Sequence, residues 1–324
     1  MNLKQRIDAF SKLGQFMSQF SRDGISKIDG VLHNDIFFDG FKHQLKLAHE
    51  HNGWFNQDNV LFALEGWSTL LSFDTLSRWI GNYDAEVSKD STVAIVMAGN
   101  IPLVGFHDFL AVLISGHRVL VKQSSNDKQL LPFLSKYLEF VEPEFKGRIQ
   151  FTEDKLDGFD AVIATGSNNT ARYFDYYFKK YPHIIRKNRN SVAVLKGDES
   201  HEELKDLGED IFRYFGLGCR SVSKIFVPRN YDFDPFFRAI YDYKEVLKYD
   251  KYINNYDYNK AVFLMSQYKL LENGFLMLKE DQSYASPIAT LFFEYYDDEL
   301  TLAQRLHDDK ESIRNIEDSF CKCK

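Results

Sequence analysis

Residues 92–125 read TVAIVMAGNIPLVGFHDFLAVLISGHRVLVKQSS, and the order of segments in this stretch decides the fold class. Residues 92–100 are a short apolar run that ends in glycine and asparagine, which is typical of a strand followed by a turn. Residues 101–115 have the length of a helix, and residues 117–125 contain a second short apolar run. A strand, a helix and a strand in this order predict a βαβ unit with two parallel strands.

The same alternation continues downstream. NDKQLLPFLSKYLEFV (126–141) has a helical pattern, RIQFTE (148–153) and DAVIATGS (160–167) have strand patterns, and NNTARYFDYYFKK (168–180) is again helical. We therefore expect a parallel sheet covered by helices. Ligands of such sheets bind beyond the carboxyl ends of the strands.

The first ninety residues have a different character and are predicted to be helical, with Trp54, Trp67 and Trp79 as aromatic anchors. The N-terminal residues 1–20 lack the compact apolar region of a signal peptide. Apolar side chains recur there at helical spacing, which predicts an amphipathic packing helix. These side chains are Leu3, Ile7, Phe10, Leu13, Met17 and Phe20.

The composition is that of a globular chain. Its 324 residues are 44% hydrophobic and 27% charged, which is enough for one large or two moderate domains. A formal net charge of −7 argues against a nucleic-acid partner, because nucleic-acid-binding domains usually carry a concentrated basic face. The longest apolar stretch, 93–115, contains Asn100, Pro102, His107 and Asp108, which are costly inside a bilayer. We expect no membrane span.

Three cysteines, two of them among the last four residues, do not form a disulfide framework, so we expect a cytoplasmic location. Cys321 and Cys323 have one spacer and no further partners nearby in the sequence, which falls short of a zinc set. We interpret them as part of an exposed tail and predict no metal site.

Polar or glycine residues follow each predicted strand directly. These segments are Met97-Ala98-Gly99-Asn100, Lys122-Gln123-Ser124-Ser125 and Thr165-Gly166-Ser167. Any one of them fits the ordinary need of a loop for glycine and a helix cap. Because all three segments are expected at the same edge of the sheet, together they favour a ligand site. The dinucleotide fingerprint G-x-G-x-x-G is absent, because Gly216-Leu217-Gly218 is followed by no third glycine at the required place.

A cysteine follows those glycines in FRYFGLGCRSVSKIFVP (212–228). The thiolate is the reactive form of cysteine, and a neighbouring cation favours it. Arg220 is a candidate cation, and Gly216 and Gly218 would let a substrate approach the backbone closely. Cys219 is therefore a candidate nucleophile. The alternative is a buried, inert cysteine that packs as a small hydrophobic residue.

Taken in order, AGNIPL (98–103), VLVKQSS (119–125), ATGSNNTARYF (164–174) and FGLGCRSVSKIFVP (215–228) resemble the aldehyde dehydrogenase superfamily. NSVAVLKGDES and GLGCRSVSK look closest to its long-chain acyl-CoA reductase branch, the LuxC-type fatty-acid reductases. The resemblance covers roughly residues 90–310.

The resemblance implies an α/β fold of the aldehyde dehydrogenase type, with two parallel-sheet domains and a helical N-terminal region. We expect the helical region over 1–90, a nucleotide-binding domain over 91–185 and a catalytic domain with the cysteine over 186–300. Residues 301–324 would be a shortened C-terminal segment.

The resemblance also assigns roles to the two catalytic candidates. Cys219 becomes the nucleophile. Asn100 matches the side-chain amide that, with the cysteine N–H, stabilises the oxyanion of the tetrahedral intermediate. The alternative for Asn100 is the cap of a helix that begins near Pro102.

The cofactor contacts follow from the same resemblance. Lys122 matches a lysine that contacts the adenosine ribose, and Ser124 lies in the same loop. Ser125 stands where many NAD-preferring relatives carry a glutamate, and a serine there tolerates a 2′-phosphate. Gly166 and Ser167 open a helix whose amides can receive the pyrophosphate, although Ser167 could also be an ordinary N-cap. NADPH is thus the preferred cofactor, with NADH as the alternative.

Two departures from the superfamily indicate the reaction. The glutamate that activates water in hydrolytic members would lie near Ile185, but no Asp or Glu occurs between Asp175 and Asp198. The glutamate that contacts the nicotinamide ribose would lie near Ser283. Without the hydrolytic base, the acyl-cysteine is suited to exchange with a thiol.

The sequence therefore predicts NADPH-dependent reduction of a fatty acyl-CoA, or an acyl-protein thioester, to the aldehyde, with coenzyme A as leaving group. Homo-oligomers are common in the superfamily, so the resemblance leaves a homo-oligomer open without fixing the oligomeric state. The alternatives are a hydrolytic aldehyde dehydrogenase and a non-catalytic nucleotide-binding scaffold. The aromatic stretch 231–265 is either a tunnel for a long acyl chain or ordinary core.

Overall fold

The computed structural model describes residues 1–83 and 90–318. The chain divides into two compact units, Met1–Lys187 and Asn188–Lys324. Each unit has its own sheet and its own helices.

The first unit begins with helices, and a short hairpin follows the first of them. The elements are α1 (Leu3–Met17), β1 (Phe20–Ser21), β2 (Gly24–Ile25), α2 (Asn34–His51), α3 (Gln57–Leu70) and α4 (Phe73–Ile80).

A parallel sheet with its connecting helices makes up the rest of the first unit. Its elements are β3 (Thr92–Val96), α5 (Phe106–Ile114), β4 (Arg118–Lys122), α6 (Leu130–Val141), β5 (Ile149–Phe151), β6 (Ala161–Thr165), α7 (Asn168–Phe178) and β7 (His183–Arg186). Within the described residues the strand order is β5-β4-β3-β6-β7, and every neighbouring pair is parallel. The parallel sheet predicted from the sequence is confirmed.

Helix α1 is the amphipathic packing helix that the spacing predicts. A capping box between Asn2 and Gln5 starts it, and Phe10 and Leu13 on its apolar face are fully buried. It packs against α3, α4, α5 and α6. The buried Arg6 side chain donates from Nε to the backbone oxygen of Ile114 at 2.7 Å. Because this bond satisfies a carbonyl at the end of α5, it fixes the helical region to the sheet layer.

The second unit contains a larger mixed sheet. Its elements are β8 (Asn190–Val194), α8 (His201–Phe212), β9 (Val222–Pro228), α9 (Asp234–Ala239), α10 (Asp250–Met265), β10 (Leu270–Glu272), β11 (Met277–Glu280), β12 (Thr290–Tyr296), α11 (Glu299–Asp308) and β13 (Ile313–Asp318). In the part of the unit that the structure describes, the strand order is β10-β11-β12-β9-β8-β13. Strand β10 is antiparallel to β11, and the other neighbouring pairs are parallel.

A short connection joins the parallel neighbours β11 and β12. Residues 281–289 form it without a helix. Parallel strands usually need a longer crossover, and we call this short segment the 281–289 connection.

No helix in residues 1–83 or 90–318 has the length and apolar character needed to cross a membrane. The fold places two sets of residues for chemistry: the loops at the carboxyl ends of β3, β4 and β6, and the turn before β9.

Candidate active site

Three neighbouring strands of the first unit end beside one another. Strand β3 lies between β4 and β6 and is parallel to both. The loops after these strands contain the predicted site residues Asn100, Ser124, Ser125, Gly166 and Ser167. The structure therefore places all five at the same edge of the sheet, which is where parallel sheets bind ligands.

The loops after β3 and β4 approach each other very closely at Gly99. A Cβ atom at Gly99 would lie 2.5 Å from Ser124 Oγ and 2.6 Å from Ser124 Cβ. Such distances leave no room for a side chain. Glycine at position 99 thus allows the loop that contains Asn100 to pack against the loop that contains Ser124 and Ser125.

Asn100 is not the cap of the following helix, so that alternative is wrong. Helix α5 begins at Phe106 with Gly105 at its N-cap position. Residues between Asn100 and Gly105 form turns, and Leu103 has φ of 56°, in the left-handed region that leucine rarely adopts. The helix predicted over 101–115 therefore starts later, and the partly buried Asn100 lies in the loop.

Asp127 is a residue of this edge that the sequence analysis did not single out. Its Oδ2 accepts a hydrogen bond from the backbone N–H of Leu103 at 3.3 Å, which joins the loop after β4 to the loop after β3. Its Oδ1 is buried, and no protein group among the described residues donates to it. Burial raises the pKa of the Asp127 carboxyl to about 6, against the lowering effect of the Leu103 hydrogen bond.

The loop after β4 is held by internal hydrogen bonds. Lys122 Nζ donates to the backbone oxygen of Asp154 at 2.8 Å. Ser124 Oγ accepts from the backbone N–H of Asn126 at 3.3 Å, and Gln123 Nε2 donates to the backbone oxygen of Asp127 at 2.9 Å. Ser125 is exposed. The hydroxyl of Ser125 is thus presented on a loop whose backbone is fixed.

Ser167 is the N-cap residue of α7. Its Oγ accepts from the backbone N–H of Thr170 at 3.2 Å, and it lies 2.9 Å from Thr170 Oγ1. The N-cap alternative for Ser167 is therefore confirmed. The cap does not exclude a ligand, because the other N–H groups of a first helical turn remain available for an anion. Gly166 precedes the cap, and a Cβ there would lie 3.0 Å from atoms of Thr170 and Phe174.

An ion pair lies at the start of α5. Asp108, in the first turn of the helix, is buried and pairs with Arg186 at the end of β7. Burial acts to raise the pKa of Asp108, but hydrogen bonds and charges from His107 and Arg186 outweigh it, so the pKa is lowered. This pair ties the edge strand of the sheet to the helix that follows β3.

In the second unit, Cys219 occupies a compact turn before β9. Tyr214 and Phe215 have φ of 55° and 58°, and Gly216 has φ of 76°. These left-handed residues reverse the chain after α8. Cys219 and Arg220 are exposed, so the alternative of a buried, inert cysteine is wrong.

Hydrogen bonds fix the backbone of this turn on both sides of the cysteine. Ser221 donates from its N–H to the backbone oxygen of Gly218 at 3.0 Å and from its Oγ to that of Arg213 at 3.3 Å. Ser191 of β8 donates from Oγ to the backbone oxygen of Cys219 at 3.2 Å. The thiol is thus exposed on a backbone that is itself held in place.

The remaining expectations concern metal binding and the two positions at which the superfamily carries a glutamate. Among the residues that the structure describes, no group of three or more His, Cys, Asp or Glu side chains could hold a metal ion. Cys321 and Cys323 lie outside the described residues. Ile185 lies on β7, and Ser283 lies in the 281–289 connection, where its N–H donates to Asp281 Oδ1 at 2.8 Å.

Solved structures with the same fold are aldehyde dehydrogenases. Aldehyde dehydrogenase 21 from Physcomitrella patens, in complex with the reaction product succinate, matches with a TM-score of 0.70 and 12% identity over 98% of this chain and 78% of that chain. An NAD+ complex from Bacillus cereus matches with a TM-score of 0.65 and 13% identity over 98% and 76%. A mutant of aldehyde dehydrogenase C from Pseudomonas syringae, in complex with NAD+ and octanal, gives 0.66 and 9% over 100% and 78%. At these identities the likeness shows the fold, which is of the aldehyde dehydrogenase type, as predicted.

A comparison with curated proteins finds no match. The family model described as Acyl-CoA reductase (LuxC) matches residues 57–240, which is more than half of the chain. The matched region includes the loops after β3, β4 and β6 and the turn that carries Cys219. The chain therefore belongs to the LuxC family of acyl-CoA reductases, and it is an oxidoreductase.

Proposed function

We propose that this enzyme reduces a fatty acyl-CoA to the aldehyde with NADPH, through an acyl group bound to Cys219. The observation that carries the proposal is the exposed thiol of Cys219 on a fixed, glycine-containing turn inside the region that matches the family. A thioester carbonyl can approach such a thiol without displacing core side chains. An acyl-protein thioester would present the same carbonyl.

The loops after β3, β4 and β6 suit a nicotinamide dinucleotide. Gly99 permits the close packing of two loops, and the N-terminus of α7 offers backbone N–H groups to a pyrophosphate. Structures of the same fold from Bacillus cereus and Pseudomonas syringae are NAD+ complexes. The preference for NADPH rests on Ser125, because a hydroxyl accommodates a 2′-phosphate that a carboxylate would repel. Initial rates with each cofactor at equal concentration test this preference.

The chemistry at Cys219 follows from thioester reactivity. The thiolate attacks the acyl carbonyl carbon, a new carbon–sulfur bond forms, and the bond to the coenzyme A sulfur breaks as that thiolate leaves. When bound, the reduced nicotinamide supplies a hydride to the acyl carbon. The resulting thiohemiacetal alkoxide expels the Cys219 thiolate and becomes the aldehyde, so the cysteine is regenerated without an added proton.

We assign Asn100 to the oxyanion of the tetrahedral species, with the backbone N–H of Cys219 as the second donor. The resemblance to the aldehyde dehydrogenase superfamily supports the assignment, and the N-cap residue of α5 is Gly105 and not Asn100. A preorganised amide at a developing oxyanion typically contributes about a hundredfold to a thousandfold in rate.

The absence of a carboxylate between Asp175 and Asp198 supports reduction rather than hydrolysis. Ile185, near the position expected for the hydrolytic base, is an apolar residue of β7. Without a general base to activate water, the acyl-cysteine persists until a hydride or a thiol reaches it. We also propose a cytoplasmic homo-oligomer, in line with the cysteine usage and the superfamily resemblance.

Mass spectrometry tests the proposal. The protein is incubated with octanoyl-, dodecanoyl- or hexadecanoyl-CoA without cofactor, and the peptide that contains Cys219 is analysed. We expect the acyl mass on that peptide and none on the Cys219→Ser protein. An unmodified Cys219 peptide with every acyl-CoA would contradict the proposal and favour a nucleotide-binding scaffold. Acid released without NADPH would favour a hydrolytic enzyme.

A further inference from the structure

A fully buried lysine on β9 holds the 281–289 connection in place. Lys224 lies on β9, and its side chain has no exposed surface. Its Nζ donates to the backbone oxygens of Asp281 and Gln282, both at 2.9 Å, and to Glu294 Oε2 at 2.7 Å. An ammonium group has three donors, and all three are used here.

Two further side chains hold the same segment. Lys279 is also buried and pairs with the Asp281 carboxylate, and its Nζ lies 4.1 Å from the ring centroid of Tyr268. Ser223, next to Lys224, donates from Oγ to the backbone oxygen of Tyr284 at 2.7 Å. The segment is therefore fixed by two buried ammonium groups and a hydroxyl.

The 281–289 connection is held by more buried hydrogen bonds and charges than an ordinary surface loop. Burial of a charged group is costly unless hydrogen bonds and an opposite charge offset it, and here burial lowers the pKa of Lys224 although Glu294 acts to raise it. A fully satisfied buried network fixes one geometry. Ala289, the last residue of the connection, has φ of 61°, which is rare for alanine and shows a tightly constrained path.

The anchored segment and the cysteine turn border the same space. A cavity of about 20 Å³, enough for a single water molecule, is lined by Phe215, Gly216 and Val222. Ser286–Thr290, the end of the connection and the start of β12, line the same cavity. Thr290 Oγ1 is buried there, and no protein group in the described chain bonds to it. The connection is thus a wall beside the turn of Cys219.

Two neighbouring strands also support both segments, because Ser191 lies on β8 and Ser223 lies on β9, with which β8 pairs. Ser191 donates to the backbone oxygen of Cys219, and its own backbone oxygen lies 3.5 Å from Ser223 Oγ. The backbone of the nucleophile and the anchored segment therefore share the strands β8 and β9 as one support.

We propose that Lys224 is a positioning residue that holds the 281–289 connection as a wall of the Cys219 site and thereby orients the acyl thioester for attack. The inference rests on the proposed acyl transfer to Cys219. It predicts that loss of Lys224 impairs the reaction of Cys219 with a large, oriented substrate more than its reaction with a small reagent that needs no wall.

The test compares Lys224→Met with the parent protein. In this variant Glu294 retains Arg305, whose guanidinium donates to it at 3.2 Å, so no carboxylate is left alone. Two rates are measured by mass spectrometry of the Cys219 peptide: acylation by dodecanoyl-CoA without cofactor, and alkylation by iodoacetamide. Lys260→Met is the control, because Lys260 lies on α10, is partly exposed and pairs with Glu272 of β10.

We expect the acylation rate of Lys224→Met to fall at least tenfold while alkylation stays within about threefold, and Lys260→Met to match the parent in both. Ser223→Ala removes a single bond to the connection and decides the question if Lys224→Met does not fold; its acylation should fall at least threefold with alkylation unchanged.

Acylation and alkylation that are unchanged, or that fall in the same proportion, would overturn the inference. A parent protein that dodecanoyl-CoA does not acylate would instead overturn the proposed function, and with it the inference. The two failures are distinguished by the parent measurement alone.

Discussion

At the scale of single residues, Cys219 and Asn100 have separable roles in the proposed reaction. The sulfur of Cys219 carries the acyl group, so every turnover passes through it. Asn100 carries no covalent bond and acts only on charge that develops at the carbonyl oxygen. Substitutions at the two positions should therefore differ in kind as well as in size.

Asn100→Ala should lower kcat for acyl-CoA reduction about a hundredfold to a thousandfold, because it removes one donor to the oxyanion. Steady-state NADPH oxidation measures the loss. Asn82→Ala, just after α4, is the control, since its exposed side chain donates to the Arg78 backbone oxygen. A parental rate in Asn100→Ala would exclude Asn100 from the oxyanion site.

Asp127 should make stability depend on pH. The carboxyl of Asp127 has a raised pKa of about 6 in the folded protein, against an ordinary value of 3.8. Between about pH 4 and pH 6 the folded state therefore holds a proton that the unfolded state has released. This proton stabilises the folded protein fully below about pH 4, and the stabilisation is lost as the pH rises through 6. The loss is roughly 3 kcal/mol.

Asp127→Asn removes this dependence. The free energy of unfolding of the variant, minus that of the parent, should grow as the pH rises from about 4 to 7. Urea denaturation across this range measures the difference, with the exposed Asp157→Asn as the control. A difference that stays constant with pH for Asp127→Asn would show that the carboxyl is not protonated in the folded protein.

At the scale of elements, the contact between the loops after β3 and β4 gives the clearest prediction. Gly99→Ala places a Cβ 2.5 Å from Ser124 Oγ, so the two loops must separate. We expect the KM for NADPH to rise at least tenfold. Gly66→Ala is the control, because a Cβ there meets nothing within 4 Å and the substitution favours helix α3 by up to about 1 kcal/mol.

Both variants are measured in two ways. The change in nicotinamide fluorescence on binding gives the affinity for NADPH, and thermal unfolding gives the stability. Gly66→Ala should unfold at a temperature equal to or above that of the parent and bind NADPH normally. Parental NADPH affinity in Gly99→Ala would contradict the placement of the cofactor at these loops.

Local patterns in the sequence were sufficient to predict most elements of the first unit. Strands β3, β4 and β6 and helix α7 follow from apolar runs and turn residues that lie close together in the chain. The predicted start of α5 was wrong because Leu103 adopts a left-handed backbone conformation, which helix propensities do not indicate. The antiparallel strand β10 also went unpredicted, although Asn273-Gly274 between β10 and β11 is a hairpin signal.

At the scale of the whole molecule, the sequence pointed to the fold and family through ordered motifs, but it did not show contacts between distant residues. Asp127 contacts Leu103 across 24 positions, and Lys224 contacts Glu294 across 70. The sequence contained a signal for the first contact, because the carboxyl of Asp127 follows Ser125 closely in the same loop. Lys224 gave no signal, because a lysine in an apolar strand shows neither its burial nor its partners.

The chain as a whole should favour thiol exchange over hydrolysis. Given an aldehyde and NADP+ without coenzyme A, we expect acid to form at least tenfold more slowly than acyl-CoA forms when coenzyme A is added, because no Asp or Glu occurs between Asp175 and Asp198, where the base that activates water is expected. Chromatography of the products measures both rates. Equal acid formation with and without coenzyme A would identify the hydrolytic alternative.

A single-turnover chase shows whether the acyl group on Cys219 is the species that NADPH reduces to the aldehyde. Protein acylated on Cys219 by dodecanoyl-CoA is separated from free thioester and then mixed with NADPH, and the aldehyde, the residual acyl mass and the oxidised cofactor are quantified. We expect aldehyde and NADP+ to appear in amounts equal to the acyl group lost from Cys219. An acyl-cysteine that survives the addition of NADPH, or aldehyde formed by the Cys219→Ser protein at the parental rate, would contradict it.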